Sequence, residues 1–148
     1  MASVPPANNQ LPLLFSDLTP LSSVEHASWK ARANEALPAF ARQHAIPVTI
    51  DEFAIVQRYY PIIFSAGENP VPLALLGLNE GVNTFADSDG KLTEQVYVPA
   101  YVRRYPFLLA RLRDDTDELS LCFDPSAGTI GPFEDGDPLF VDGQPSEA

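Results

Sequence analysis

The chain has little of what familiar chemistry requires. Cysteine occurs once, as Cys122, so no intramolecular disulfide can form and a secreted disulfide framework is excluded. The thiol lies in Leu119-Ser120-Leu121-Cys122-Phe123, where an apolar setting predicts a buried structural group rather than a nucleophile. Histidine occurs twice, as His26 and His44, too few for an imidazole cage. No Gly-x-Ser-x-Gly, Cys-x-x-Cys, Walker or dinucleotide fingerprint is present, which leaves the commonest hydrolase, redox and nucleotide scaffolds without support. Cations are scarce: nine lysines and arginines stand against 20 carboxylates, a net charge of -11. Nucleic acid is therefore not expected as a partner, because phosphate binding needs basic side chains to displace counterions. Long apolar runs are missing too. The longest, Val71 to Leu78, is interrupted by Pro72 and falls far short of the roughly 18 residues that span a bilayer. No positive charge precedes Lys30, and no apolar stretch has signal-peptide length, so a cytoplasmic location is expected, with surface export by another route left open.

What the chain has in excess is proline. Fifteen prolines in 148 residues, about twice the usual share, disfavour long helices and long central strands. A hydrophobic content of 45% is ordinary for a folded domain, and this length suffices for one core. The expected organisation is an extended arm over residues 1–20, a single domain over 21–133 and an acidic tail over 134–148. The tail carries Glu134, Asp135, Asp137, Asp142 and Glu147 with no basic side chain.

Within the arm, Leu13, Leu14 and Phe15 are expected to dock as a short strand. Ser22 or Ser23 as a cap, with Glu25 in the first turn, predicts a helix through Trp29 that Pro38 stops. Thr49, followed by Asp51 and Glu52 at the positive end of the dipole, predicts a second helix ending near Tyr60-Pro61. The apolar runs 61–65 and 71–78 read as a hairpin about Ala66-Gly67-Glu68-Asn69-Pro70, with Pro72 at a strand start or edge. Asp87-Ser88-Asp89-Gly90 reads as a turn between residues 83–86 and 95–97. Val98 to Phe107 reads as a two-turn helix with Pro99 in its first position. Residues 108–113 and 119–124 alternate as strands about Asp114-Asp115-Thr116-Asp117-Glu118. The fold class is α+β: a mainly antiparallel sheet of short hairpins with a few short helices.

Candidate chemistry is thin. Asp87-Ser88-Asp89-Gly90 resembles the middle of a calcium loop, but in that register Phe85 and Val96 would occupy the first and last ligand positions, so a plain β-turn is expected. No metal and no cofactor is expected. His26 precedes Trp29 by three places, and a satisfied or solvent-facing imidazole is the simpler reading. The richest segment is Tyr97 to Phe107. Tyr97, Tyr101 and Arg104 or Tyr105 recur at spacings of three and four, and Arg103 stands among them. Tyrosine and arginine combine large contact area with directed hydrogen bonds, so Tyr97, Tyr101, Arg103, Arg104 and Tyr105 are the candidate partner-binding residues. The competing arrangement buries the rings in the core and pairs the guanidinium groups with Asp114, Asp115 or Asp117.

The blocks Tyr60-Pro61-Ile62-Ile63-Phe64, Ala74-Leu75-Leu76-Gly77-Leu78, Asn83-Thr84-Phe85, Asp89-Gly90 and Tyr97-Val98-Pro99-Ala100-Tyr101-Val102-Arg103-Arg104-Tyr105-Pro106-Phe107 resemble the SapC family of bacterial proteins. The resemblance covers roughly His26 to Asp124. It implies a link to paracrystalline surface layers by name, and a gene setting beside outer-membrane receptors and flavin-dependent halogenases, without a defined molecular activity. Members of that family commonly run on for about a hundred residues more, so the resemblance implies a form lacking a C-terminal part. The leading expectation is a non-enzymatic soluble module that binds a protein partner or itself. One alternative is an accessory enzyme acting on a peptide or small metabolite through His26, Asp87 and the Arg103-Arg104 pair. Another is a structural subunit of a surface array.

Overall fold

A computed structural model describes residues 11–33, 36–113 and 115–146. The expected arm falls outside the described residues as far as residue 10, and so do Asp114 and Glu147. The elements run β1 (Thr19–Pro20), β2 (Lys30–Ala31), α1 (Pro38–Ala41), β3 (Ala45–Pro47), α2 (Phe53–Val56), β4 (Ile62–Phe64) and β5 (Pro72–Leu75). After a long irregular stretch come α3 (Ala100–Arg103), β6 (Phe107–Ala110), β7 (Ser120–Phe123) and β8 (Ile130–Gly131). Three two-residue strands follow: β9 (Asp137–Pro138), β10 (Phe140–Val141) and β11 (Gln144–Pro145). Among the described residues all strand pairs are antiparallel and every α-helix is a single turn, with a 3-10 turn at Ile50–Glu52, begun at Thr49 as expected, leading into α2. The protein is a sheet-dominated α+β fold.

The chain divides into two compact units. One takes in the described residues between Met1 and Asn34 and between Tyr105 and Ala148; the other takes in those between Glu35 and Arg104. The first holds three small sheets, ordered β1-β7-β6, β8-β2-β9 and β10-β11. The second holds one sheet, β3-β5-β4, together with all three α-helices among the described residues.

In the second unit, β4 and β5 form the expected hairpin, with Ile62 opposite Ala74 and Phe64 opposite Pro72. Ser65 and Val71 close its loop: Ser65 N–H donates to Val71 O at 2.9 Å, and Val71 N–H donates to Ser65 Oγ at 2.9 Å. Pro72 is the first residue of its strand, where a missing donor costs least. The other side of β5 pairs with β3, a strand that sequence pattern did not reveal, and this makes Ala74 and Ile46 fully buried partners. Asp87 to Gly90 forms the expected turn, with Asp87 Oδ1 accepting from Asp89 N at 3.0 Å and Lys91 N at 2.9 Å. Its ladder is shorter than expected, closing at an Ala86–Leu92 bridge rather than at residues 95–97. Gly90 has φ +80°, and a side chain there would run into the carbonyl of Leu37, so only glycine fits.

In the first unit, β6 and β7 form the third expected hairpin, with Leu108 opposite Cys122. Cys122 is fully buried, and burial pushes its thiol pKa up. Two local expectations fail here. Leu14 has φ +78°, and Phe15 N–H bonds Pro12 O at 3.1 Å, so residues 12–15 turn rather than extend. The turn buries both Leu14 and Phe15, whereas a strand would send neighbouring side chains to opposite faces. The helix expected from Ser22 is also absent. Ser22 Oγ does accept from Val24 N at 3.3 Å and Glu25 N at 3.2 Å, but Lys30 and Ala31 pair on both sides, with β8 and β9. Sheet pairing overrides local propensity there. Pro38, expected to stop that helix, instead begins α1. The acidic stretch from Glu134 onward contributes β9, β10 and β11.

Candidate functional site

The organising group of the second unit is the buried carboxylate of Glu52. Thr49 and Glu52 form a capping box: Glu52 Oε2 accepts from Thr49 N and from Thr49 Oγ1, both at 3.0 Å. Glu52 Oε1 faces the other way and accepts from Ala100 N at 2.7 Å and from the Tyr97 hydroxyl at 2.9 Å. One side chain therefore ties the start of one helical segment to the start of another, 48 residues further along. Burial alone would raise the Glu52 pKa. The backbone donors of Thr49 and Ala100, with the Tyr97 and Thr49 hydroxyls, outweigh burial and hold the carboxyl below its ordinary range.

The hydrogen bonds continue outward from there. Arg103 Nη2 donates to the Tyr97 hydroxyl at 2.9 Å, and the Arg103 guanidinium stands 5.3 Å from the Tyr97 ring centre. Partial removal from water and the Glu52 carboxylate raise the Tyr97 pKa, while Arg103 opposes the shift. Beneath this chain, the fully buried Tyr60 donates its hydroxyl to Tyr97 O at 2.8 Å and meets Phe85 edge-on at 4.8 Å. Arg104 Cζ lies 4.1 Å above the Tyr101 ring. Tyr97 and Arg103, and Tyr101 and Arg104, thus form two arginine–tyrosine stacks. Tyr97, Tyr101 and Arg104 are half-buried, and Arg103 is exposed.

The expected two-turn helix over Val98 to Phe107 is a single turn, Ala100–Arg103, because Phe107 already belongs to β6. Pro99 precedes that turn and its carbonyl accepts from Val102 N and Arg103 N. Tyr105, the fifth predicted site residue, belongs to the first unit and has a different setting. Its ring packs edge-on against Phe15 at 5.2 Å, and its hydroxyl bonds with Asp124 and Ser126. Burial and the Asp124 charge raise its pKa. Asp124 is itself fully buried, accepting from Ser16 N at 2.7 Å, Ser126 N at 2.9 Å and Ser126 Oγ at 2.6 Å.

The other candidate groups are committed locally. His26 is buried between Trp29 and Phe123, with ring centres 4.4 Å and 5.4 Å away, and its Nδ1 accepts from Ser22 N at 3.0 Å. Asp87 holds its own turn. Of the aspartates considered for arginine pairing, Asp117 binds Arg111 at 2.9 Å. Glu52 is the central residue that sequence reasoning missed. Its signal was Thr49-x-x-Glu52, the spacing of a capping box, which marks a carboxylate that turns inward.

Taken together, these features define a small α+β protein whose most elaborate polar construction presents arginines and tyrosines rather than a nucleophile. Residues 21–148 match the SapC family, and the chain belongs to it. The match reaches beyond the blocks that first carried the resemblance, on both sides. No curated protein and no solved structure matches the chain. No helix among the described residues is long and apolar enough to cross a membrane.

Proposed function

We propose that this SapC-family chain is a non-enzymatic binding or assembly module that engages a protein through the Tyr97–Arg104 face. The supporting observation is the Glu52–Tyr97–Arg103 chain of hydrogen bonds, which holds an exposed guanidinium in one orientation on a half-buried aromatic support. An arginine so held has less freedom to lose when a partner arrives than one on a free side chain. Next to it the Tyr101 ring, half-buried, is backed by Arg104, whose Nε and Nη2 are buried, and adds an aromatic surface of the kind common in protein interfaces. The accessory-enzyme reading gains nothing comparable, since His26 Nδ1 and Asp87 Oδ1 already hold backbone N–H groups.

The test is affinity capture from a lysate with the intact chain and with the double variant Tyr101→Ala/Arg104→Ala. Loss of a specific partner by a variant whose circular dichroism is unchanged supports the reading. Equal recovery by both proteins removes it.

A further inference from the structure

Resting on that reading, we infer that Arg103 is the receptor for a single carboxylate carried by the partner. The chain holds 20 carboxylates and nine cations, and Arg32 and Arg111 take internal partners, Asp135 and Asp117. Arg103 does not: its contacts among the described residues are with the Tyr97 hydroxyl and ring. The Tyr97 hydroxyl gives its proton to Glu52 and receives the Arg103 N–H, so it works as a spacer between a buried anion and an exposed cation. Glu52 is fixed in turn by Thr49 and Ala100. One N–H of Nη2 is thus anchored, and its second N–H, with a neighbouring nitrogen, leaves a two-pronged edge for an incoming acceptor. A carboxylate is the acceptor whose two oxygens match that fork.

The net charge decides how many carboxylates the site takes. At -11 the protein repels a polyanion as a whole, so a run of acidic residues or a phosphate chain gains less from Arg103 than it loses in approach. A lone acidic residue carries little of that repulsion.

The probe is a set of blocked tetrapeptides, acetyl-Ala-Glu-Leu-Ala-amide and its Gln and Lys counterparts, titrated into the intact chain while the Arg103 Nε–H resonance is followed by NMR. The Glu peptide is expected to shift that resonance saturably, and the Gln and Lys peptides to leave it in place. Arg103→Lys keeps the charge but loses the fork, and is expected to weaken binding by roughly tenfold or more, followed through the amides of α3. Tyr97→Phe removes the anchor and is expected to weaken it about threefold while the circular dichroism stays the same. Hexaglutamate is expected to bind no more tightly than the tetrapeptide. Absence of a saturable shift, an equal response to the Gln peptide or to inorganic phosphate, or undiminished binding by Arg103→Lys overturns the inference. The two readings fail separately. A partner captured through Tyr101 and Arg104 while no peptide binds leaves the binding module standing without its carboxylate receptor. Peptide binding without capture shows the reverse.

Discussion

Each of the two units is built around a buried carboxylate with a tyrosine hydroxyl beside it, yet the arrangements end differently. In the first, Asp124 gathers Ser16 and Ser126, and Tyr105 is closed over by Phe15. In the second, Glu52 gathers Thr49 and Ala100, and Tyr97 passes the connection to an exposed arginine. A buried anion is tolerated only where donors surround it, and both carboxylates meet that condition. The difference lies in what the tyrosine does next: Tyr105 meets the buried Phe15 ring, whereas Tyr97 leads to an exposed guanidinium. The charge follows the same division. The first unit carries twelve acidic and four basic residues, a net charge of -8; the second carries eight and five, a net charge of -3. The unit with the outward-facing arginine is thus also the one whose own field least opposes an acidic partner.

Substitutions can sharpen this comparison. The largest effect is expected from Asp124→Ala, which removes a fully buried carboxylate that accepts from two backbone N–H groups and a serine hydroxyl. A loss on the order of 3 kcal/mol in urea unfolding is expected; a loss no greater than that of Glu52→Gln would remove the distinction between the inward-directed and the outward-directed centre. Glu52→Gln comes next, at about 1.5 kcal/mol, because the amide retains one acceptor oxygen but loses the charge. The pH dependence has a definite sign. With its folded pKa held below the ordinary 4.5, Glu52 contributes stability that is complete above pH 4.5 and lost as pH falls through the lowered value. The acid limb of a Tm-against-pH curve should therefore be shallower in Glu52→Gln; an unchanged limb would mean that Glu52 is not held as an anion.

The smallest effect is expected from Tyr60→Phe, about 1 kcal/mol for the hydrogen bond to Tyr97 O. Burial, with a smaller contribution from Tyr59, pushes the Tyr60 hydroxyl from 10.0 up to about 12. Its contribution is therefore complete below pH 10.0 and lost as pH rises through about 12, and Tyr60→Phe should flatten the alkaline limb.

Turn chemistry was legible in the sequence wherever it was local. The Asp87–Gly90 turn, the hairpin closed by Ser65 and Val71, and the placement of Pro72 at a strand start each follow from residues within a few positions of one another. The pattern also singled out the Tyr97–Arg104 segment, because tyrosine and arginine concentrate there as nowhere else in the chain. Illegible features were those that depend on distant partners. Lys30-Ala31 forms a strand only because residues 130–131 and 137–138 flank it, and Ala45–Pro47 only because β5 had an edge to offer. Leu14 bends into a left-handed turn because burial of two adjacent side chains outweighs the local cost.

By itself, then, the sequence determined the class of object: short helices and short antiparallel strands set by proline and turn residues, with one cysteine and a net charge of -11. Only the tertiary structure decided that Glu52 turns inward, that Tyr97 connects it to Arg103, and that Tyr105 closes over Asp124. The reason is physical. Dihedral restrictions act on neighbours in the chain, whereas the direction of a carboxylate is set by whichever donors folding brings to it, here from 48 residues away for Glu52 and 108 for Asp124.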